Sequence, residues 1–314
     1  MLKAQHGRNF TEQASERPGS IFIRTMDADL PKVLVTGSTG HLGSWLVMRL
    51  LEKGYRVKAS VLNADDKQDL HPFSLISPSK LERLEIVKAD LLVEGDFDDA
   101  VQGCDGVFHL ACPTNFSAED PQKQAINPAV QGTLNVLRSC IKTRSVKRVL
   151  HVSSAGAIRT PGKDDADRVF DESCWTDVDF CLKSKMSGWP YFVAKTLGER
   201  AAVEFARMHN LDLVVANPTL VTGPFLLPRI PNSIKDALAL VTEARGRYVC
   251  SAVDASITDV ADIIRSQLDL SYLGEPEIHY FDSSKLKTLG FQYKYTLKDM
   301  LLDAIECCKE KGLL

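Results

Sequence analysis

The sequence predicts a doubly wound α/β fold built on a parallel sheet, and three observations predict it. Six short apolar runs are spread between Val33 and Asn217, helical periodicity fills the stretches between the later ones, and a glycine-rich turn follows the first run directly. Apolar strands that alternate with helices imply right-handed crossovers and a sheet buried on both faces.

The elements follow in order. Val33–Thr36 is a short apolar run that ends at Gly37, and residues 41–53 continue with helical spacing. Arg56–Val61 reads as the second strand, Leu84–Lys88 as the third and Gly106–Ala111 as the fourth. Arg148–Ser153 makes the fifth and Asp212–Asn217 the sixth. Residues 1–30 mix Arg8, Arg17 and Arg24 with Glu12, Glu16, Asp27 and Asp29, without periodicity. They read as a disordered extension, too acidic for a transit peptide and lacking the apolar region of a secretory signal.

Composition narrows the function classes. The 314 residues are 44% hydrophobic and 25% charged, which excludes a disordered chain. A formal net charge of -3 provides no positive field, so neither nucleic acid nor an anionic membrane is expected as a partner. Eight cysteines contain no C-x-x-C pair and the seven histidines lack ligand spacing, so no metal site is expected. The most apolar stretch, Leu211–Pro228, is broken by Asn217, Pro218, Gly223 and Pro224 and cannot span a bilayer. A cytoplasmic protein with reduced thiols is the expectation.

The turn after the first strand reads Thr36-Gly37-Ser38-Thr39-Gly40-His41-Leu42-Gly43. Between a strand and a helix, this glycine spacing suits a dinucleotide. One glycine allows the tight turn, the next lets a pyrophosphate approach the backbone, and the last lets helix and strand pack closely. The helix N-terminus around His41 and Leu42 then offers amide N–H groups and a positive dipole end. Which dinucleotide binds stays open on these residues. An acid at the end of the second strand would serve the ribose 2'-hydroxyl and an arginine the 2'-phosphate, but this chain has Val61-Leu62-Asn63-Ala64-Asp65-Asp66-Lys67. Lys67 could reach a phosphate, and Asp65 could serve a hydroxyl.

Tyr191 and Lys195 form a Y-x-x-x-K pair on a helix expected to begin near Trp189. At i and i+4 they share one face, so the ammonium can lie near the phenol and favour its ionised form. That is the arrangement of a proton donor working near neutral pH. Ser153 and Ser154 close the fifth strand, at the carboxyl edge where doubly wound sheets bind ligands.

With these residues in place, the chain resembles the extended short-chain dehydrogenase/reductase superfamily. The likeness is to its plant branch of dihydroflavonol 4-reductase, anthocyanidin reductase and vestitone reductase. Four stretches carry it: Val35–Tyr55 (VTGSTGHLGSWLVMRLLEKGY), Asp171–Trp175 (DESCW), Trp189–Leu197 (WPYFVAKTL) and Leu289–Leu314 (LGFQYKYTLKDMLLDAIECCKEKGLL). The resemblance implies a Rossmann-type domain over residues 31–220 and a smaller substrate lobe over 221–314. It implies a catalytic triad of Ser154, Tyr191 and Lys195. The cofactor would be lined by Gly37, Gly40, Gly43, Asp90, Leu91 and Ala111, with Asn217 and Pro218 beside the nicotinamide. It also implies reduction of a ketone or conjugated carbonyl of a phenolic or flavonoid-like molecule, with NADPH expected in preference to NADH.

Three departures stand out. Leu62 occupies the place of the family's arginine for the 2'-phosphate. Arg159 stands where dihydroflavonol reductases carry an asparagine, five residues past the catalytic serine, which argues against that substrate. Between Leu240 and Gly246 the relatives carry roughly thirty-five further residues, a size taken from the resemblance. Losing a strand and helix there should open one wall of the substrate region. Two other readings therefore stand beside the reductase: a truncated dinucleotide-binding protein without catalysis, and a nucleotide-sugar epimerase or dehydratase on the same scaffold.

Overall fold

Six parallel strands form the central sheet: β1 (Lys32–Thr36), β2 (Arg56–Val61), β3 (Leu84–Lys88), β4 (Gly106–His109), β5 (Arg148–Val152) and β7 (Leu213–Ala216). The computed structural model describes residues 30–113, 119–160, 169–231, 233–234 and 280–314. The N-terminal stretch 1–29 and the proposed gap near 240–246 lie outside them. Residues Pro31–Leu314 form one unit.

The strand order is β3-β2-β1-β4-β5-β7, so the chain runs outward on one side of β1 and then returns to build the other. The order reverses between β1 and β4, and such a switch point opens a crevice at the strands' carboxyl ends. Register carries the polar residues of three strands to that edge: Thr36 pairs with His109, and His109 with His151.

Side-chain alternation along the strands feeds two cores. Val33, Val35, Val57, Ala59 and Val61 bury one face against Val47 and Leu51 of α1 (His41–Glu52) and against Phe73 and Ile76. Phe73 belongs to the short helix α2 (His71–Ser74), which precedes α3 (Pro78–Leu81). Leu34, Val107 and Val149 bury the other face with Val101 of α4 (Asp98–Val101) and with Val136 and Leu137 of α5 (Asn127–Thr143). Ala202 and Phe205 of a long helix complete that core. Each fully buried Val or Leu contributes roughly 1.5–3 kcal/mol, so the two faces supply the main driving force.

That long helix is α7 (Trp189–His209), preceded by α6 (Val178–Ser184). Pro190 suits its first turn, where no amide donor is needed. It ends at Asn210, a left-handed residue (φ 51°). It packs along α5, where a Cβ at Gly198 would make an ordinary contact, 3.6 Å from the Ala129 carbonyl oxygen.

A second, two-stranded sheet pairs β6 (Val169–Phe170) with β8 (Tyr280–Phe281) in parallel. The C-terminal helix Leu297–Glu310 starts with a reciprocal cap between Thr296 and Asp299. It packs Ala304 and Cys308 against Phe225, Leu227 and Ile234. No helix among the described residues is long and apolar enough to cross a membrane.

Candidate active site

The turn after β1 is shaped by what its glycines exclude. Gly37 adopts φ 65°, and a Cβ on it would fall 2.8 Å from the Ala111 amide nitrogen. A Cβ at Gly43 would come within 2.0 Å of the Gly37 carbonyl oxygen, so helix α1 sits directly on the turn. Gly40 caps α1, has no side chain to do so, and no acid occupies the first turn. The positive end of the helix is thus left for an external anion.

A buried polar chain fixes Ala111 opposite Gly37. The Thr36 hydroxyl accepts from the Leu110 and Ala111 amides at 3.1 and 3.0 Å. Its hydrogen must then go to His109 Nδ1, 2.8 Å away. His109 therefore carries its proton on Nε2, which donates to Thr133 Oγ1 at 3.3 Å. The His151 ring lies 5.2 Å from that of His109. Burial lowers His151 to about 3, with the Lys195 ammonium adding to the effect. Burial also takes His109 well below the usual histidine range, helped by His151 and Lys195. Both rings are neutral at physiological pH.

The carboxyl end of β5 holds the serine. Ser154 is almost fully buried, and its Oγ accepts from the Gly156 amide at 3.0 Å. With the oxygen fixed by that bond, its hydrogen remains to donate elsewhere. Gly156 brings α7 to the same spot: a Cβ on it would meet Tyr191 Cε1 at 3.2 Å and Phe192 Cδ1 at 3.0 Å. One turn further along α7, Lys195 Nζ donates to the Val152 carbonyl at 3.3 Å. Ser154, Tyr191 and Lys195 thus converge on residues 152–156.

The end of β7 closes the other side. The Ser153 amide donates to the Ala216 carbonyl at 2.8 Å, and the Ala155 amide to the Pro218 carbonyl at 2.9 Å. Asn217 Nδ2 donates to the Ser154 carbonyl at 3.2 Å and to Glu199 Oε2 at 2.7 Å. Glu199 lies on α7 and is buried. Burial raises its carboxyl, opposed by the neighbouring Ser153 hydroxyl, the Asn217 amide and the Lys195 ammonium. Neither Glu199 nor Thr36 was among the residues singled out from sequence. Glu199 had a signal, since it stands four residues after Lys195 on the same helix face.

The remaining expected cofactor residues divide. Leu91 is held at the carboxyl edge of β3, its carbonyl accepting from the Asn135 amide at 2.8 Å and its side chain against Gly132. The Asp90 carboxylate accepts from the Leu92 amide at 2.9 Å, within its own turn. Leu42 is partly buried at the start of α1. His41 turns toward the C-terminal segment, bonding Ser233 Oγ at 3.1 Å with its ring edge-on to Phe225, and burial lowers it to about 4. Lys67 stands exposed on the loop after β2, and Leu62 at the strand end is 62% exposed. Arg159 is buried, its guanidinium 5.9 Å from the centre of the Phe170 ring. Among the described residues, no three His, Cys, Asp or Glu are grouped to hold a metal.

Comparison with known proteins places this geometry. The model of the NAD dependent epimerase/dehydratase family matches residues 33–263. Dihydroflavonol 4-reductase of Gerbera hybrida is 41% identical over 330 aligned positions, covering 92% of this chain and 89% of that protein. The bifunctional dihydroflavonol 4-reductase/flavanone 4-reductase of Malus domestica is 38% identical over 329 positions, covering 92% and 93%. The crystal structure of vestitone reductase from alfalfa (Medicago sativa) matches with a TM-score of 0.77 and 33% identity, covering 91% of this chain and all of that one. Both aligned lengths exceed the 314 residues present here, so these relatives carry residues that this chain lacks.

Proposed function

The chain belongs to the NAD dependent epimerase/dehydratase family, and from that membership we propose that it is an NAD(P)H-dependent reductase of a ketone or conjugated carbonyl on a phenolic or flavonoid-like molecule. One observation carries the reading: the Ser154 hydroxyl and the Tyr191 ring meet at Gly156, with Lys195 anchored beside them on Val152. Relatives named as dihydroflavonol and flavanone 4-reductases support the substrate class.

The turn's residues fit a dinucleotide, since Gly37 and Gly43 leave no room for a Cβ and the first turn of α1 has neither side-chain cap nor acid. Gly37, Gly40, Gly43 and Ala111 would hold the pyrophosphate side, Asp90 and Leu91 the adenosine side, and Asn217 and Pro218 the nicotinamide. When bound, the dinucleotide supplies the hydride. We take NADPH as the preferred form on the resemblance to the plant reductases. Lys67 would be the cation for its 2'-phosphate.

The chain's own residues do the rest. Ser154 donates its free hydrogen to the substrate carbonyl oxygen and so holds it where negative charge develops. Tyr191 gives its phenolic proton to the same oxygen as the alkoxide forms. Lys195 keeps a positive charge near that phenol and a donor toward the cofactor ribose. Residues after 220 would form the smaller lobe over this edge, with the substrate between the two.

The test is oxidation of NADPH, followed optically with a panel of dihydroflavonols, flavanones and simpler aryl ketones. Turnover that disappears in Tyr191→Phe is the expected result. A thermal shift with NADPH and no turnover of any ketone would favour a non-catalytic dinucleotide-binding protein, which the longer aligned length of the relatives also suits. Turnover of a UDP-sugar instead would make the chain an epimerase or dehydratase.

A further inference from the structure

We infer that Glu199 is a positioning residue for this site, acting through Asn217 to brace the Ser154 main chain against the end of β7. The inference rests on the reductase reading for what is being positioned, and on the following contacts for the brace itself.

Tyr191, Lys195 and Glu199 succeed one another at intervals of four along α7 and so line one face. Glu199 is only 7% exposed, an expensive place for a carboxylate unless it is bonded. Its Oε2 accepts the shortest bond in the group, 2.7 Å from Asn217 Nδ2. The second hydrogen of that amide goes to the Ser154 carbonyl at 3.2 Å. One primary amide therefore ties the end of β7 to both α7 and the serine loop, and both its hydrogens are used. Two main-chain bonds, from Ser153 to Ala216 and from Ala155 to Pro218, flank it. Ser154 is thus held from both sides, while its hydroxyl oxygen is fixed separately by the Gly156 amide.

The groups facing Glu199 are Lys195 on its own helix, the Ser153 hydroxyl just past β5 and the Asn217 amide just past β7. Lys195 in turn faces His109 and His151 across the sheet edge. Two roles for the carboxylate make different demands. A brace needs the reach of the side chain and an acceptor oxygen. A counter-charge for Lys195 needs the negative charge. Glu199→Gln keeps reach and acceptor but loses charge, whereas Glu199→Asp keeps charge but falls one methylene short.

The experiment measures kcat and KM of wild type, Glu199→Gln, Glu199→Asp, Glu199→Ala and Asn217→Ala, together with hydrogen exchange of the Asn217 side-chain amide. That signal is read by NMR after asparagine-selective labelling and assigned by its loss in Asn217→Ala. The brace predicts that Gln retains most of the rate, while Asp and Ala each lose about tenfold or more in kcat with KM little changed. Asn217→Ala, which also removes a group placed beside the nicotinamide, should lose at least as much, and combining it with Glu199→Asp should add nothing beyond its own loss. The Asn217 amide should exchange slowly in wild type and fast in Glu199→Asp. Gln as slow as Ala, Asp as fast as wild type, or a freely exchanging amide in wild type would each overturn the inference. Should the alanine variant not fold, Gln against Asp still decides. A wild-type chain that binds NADPH and reduces no ketone overturns the reductase reading instead, and the exchange measurement then judges the brace by itself.

Discussion

Gly37 and Ala111 touch so closely that the Cβ of any other residue at Gly37 would lie 2.8 Å from the Ala111 amide nitrogen. The two residues follow the carboxyl ends of neighbouring strands at the switch point, and the Thr36 hydroxyl holds the Ala111 amide in place. A side chain at Gly37 meets backbone that cannot move, and its left-handed φ costs a further 1–2 kcal/mol or about that. Gly43 is tighter still, at 2.0 Å from the Gly37 carbonyl, whereas a Cβ at Gly40, 3.3 Å from the same oxygen, needs its neighbour to give by only a few tenths of an ångström. The expected order of damage on substitution by alanine is Gly43, then Gly37, then Gly40. Thermal melts with and without NADPH check it: Gly40→Ala should keep a ligand-induced shift that the other two lose. Equal shifts in all three would mean that the turn does not hold the cofactor.

Tyr191→Phe removes the phenolic oxygen and keeps the ring that packs on Gly156. Its loss should fall in kcat, by about 10²- to 10⁴-fold, the usual worth of a positioned proton donor. Ser154→Ala should cost about 10²- to 10³-fold, since it removes one donor to the developing oxyanion. The Gly156 amide would then lose its partner as well, so a small drop in Tm accompanies the serine change. Both variants should retain the thermal shift with NADPH, because neither disturbs the glycine turn. Residual activity near wild type in Tyr191→Phe would assign proton donation to another group.

Much of this was legible in the sequence because the sheet is buried on both faces. A strand such as Val33–Thr36 has to be apolar throughout, and such runs stand out from their surroundings. Three strands were read too long, and the sixth, Asp212–Asn217, is shorter by one residue at each end, at Leu213–Ala216. Gly106–Ala111 stops at His109 because the Leu110 and Ala111 amides leave the ladder to bond Thr36 Oγ1. Arg148–Ser153 loses only its last residue, whose amide still bonds Ala216. The pair β6 and β8 could not be read, since each has two residues and they meet across more than a hundred positions of sequence. Tyr191 and Lys195 were found from local spacing. Glu199 and Thr36 act through partners brought by distant strands, Asn217 and Ala111, and only the fold supplies those.

Three histidines make stability depend on pH. Burial lowers His41 to about 4 and His151 to about 3, and takes His109 lower than its ordinary range, while an unfolded histidine titrates near 6.5. Between about pH 6.5 and 4 the unfolded chain therefore binds more protons than the folded one, and the free energy of unfolding rises with pH. Acidification should destabilise the protein by up to about 1.4 kcal/mol per pH unit for each histidine. Urea midpoints measured from pH 7 to pH 5 should fall steadily, and His41→Gln should flatten the slope. A midpoint that does not move over this range would show that the rings are already accessible to protons in the folded state.

The choice between the two nicotinamide cofactors rests on the end of β2. Leu62 stands there 62% exposed, just past the last residue of the strand. An arginine at this place would bind a 2'-phosphate through paired N–H donors, and a carboxylate would exclude it. Leucine does neither, which leaves Lys67 on the following loop as the cation within the segment and predicts a modest preference for NADPH. Leu62→Arg should raise the ratio of kcat/KM for NADPH over NADH by about tenfold, equivalent to about 1.4 kcal/mol. Lys67→Ala should lower the NADPH value and leave the NADH value alone, because only the phosphate distinguishes the two. If Leu62→Arg weakens both cofactors equally, the adenosine does not lie over β2. If Lys67→Ala changes neither, the phosphate is held by a residue of another loop, and any NADPH preference arises away from this strand end.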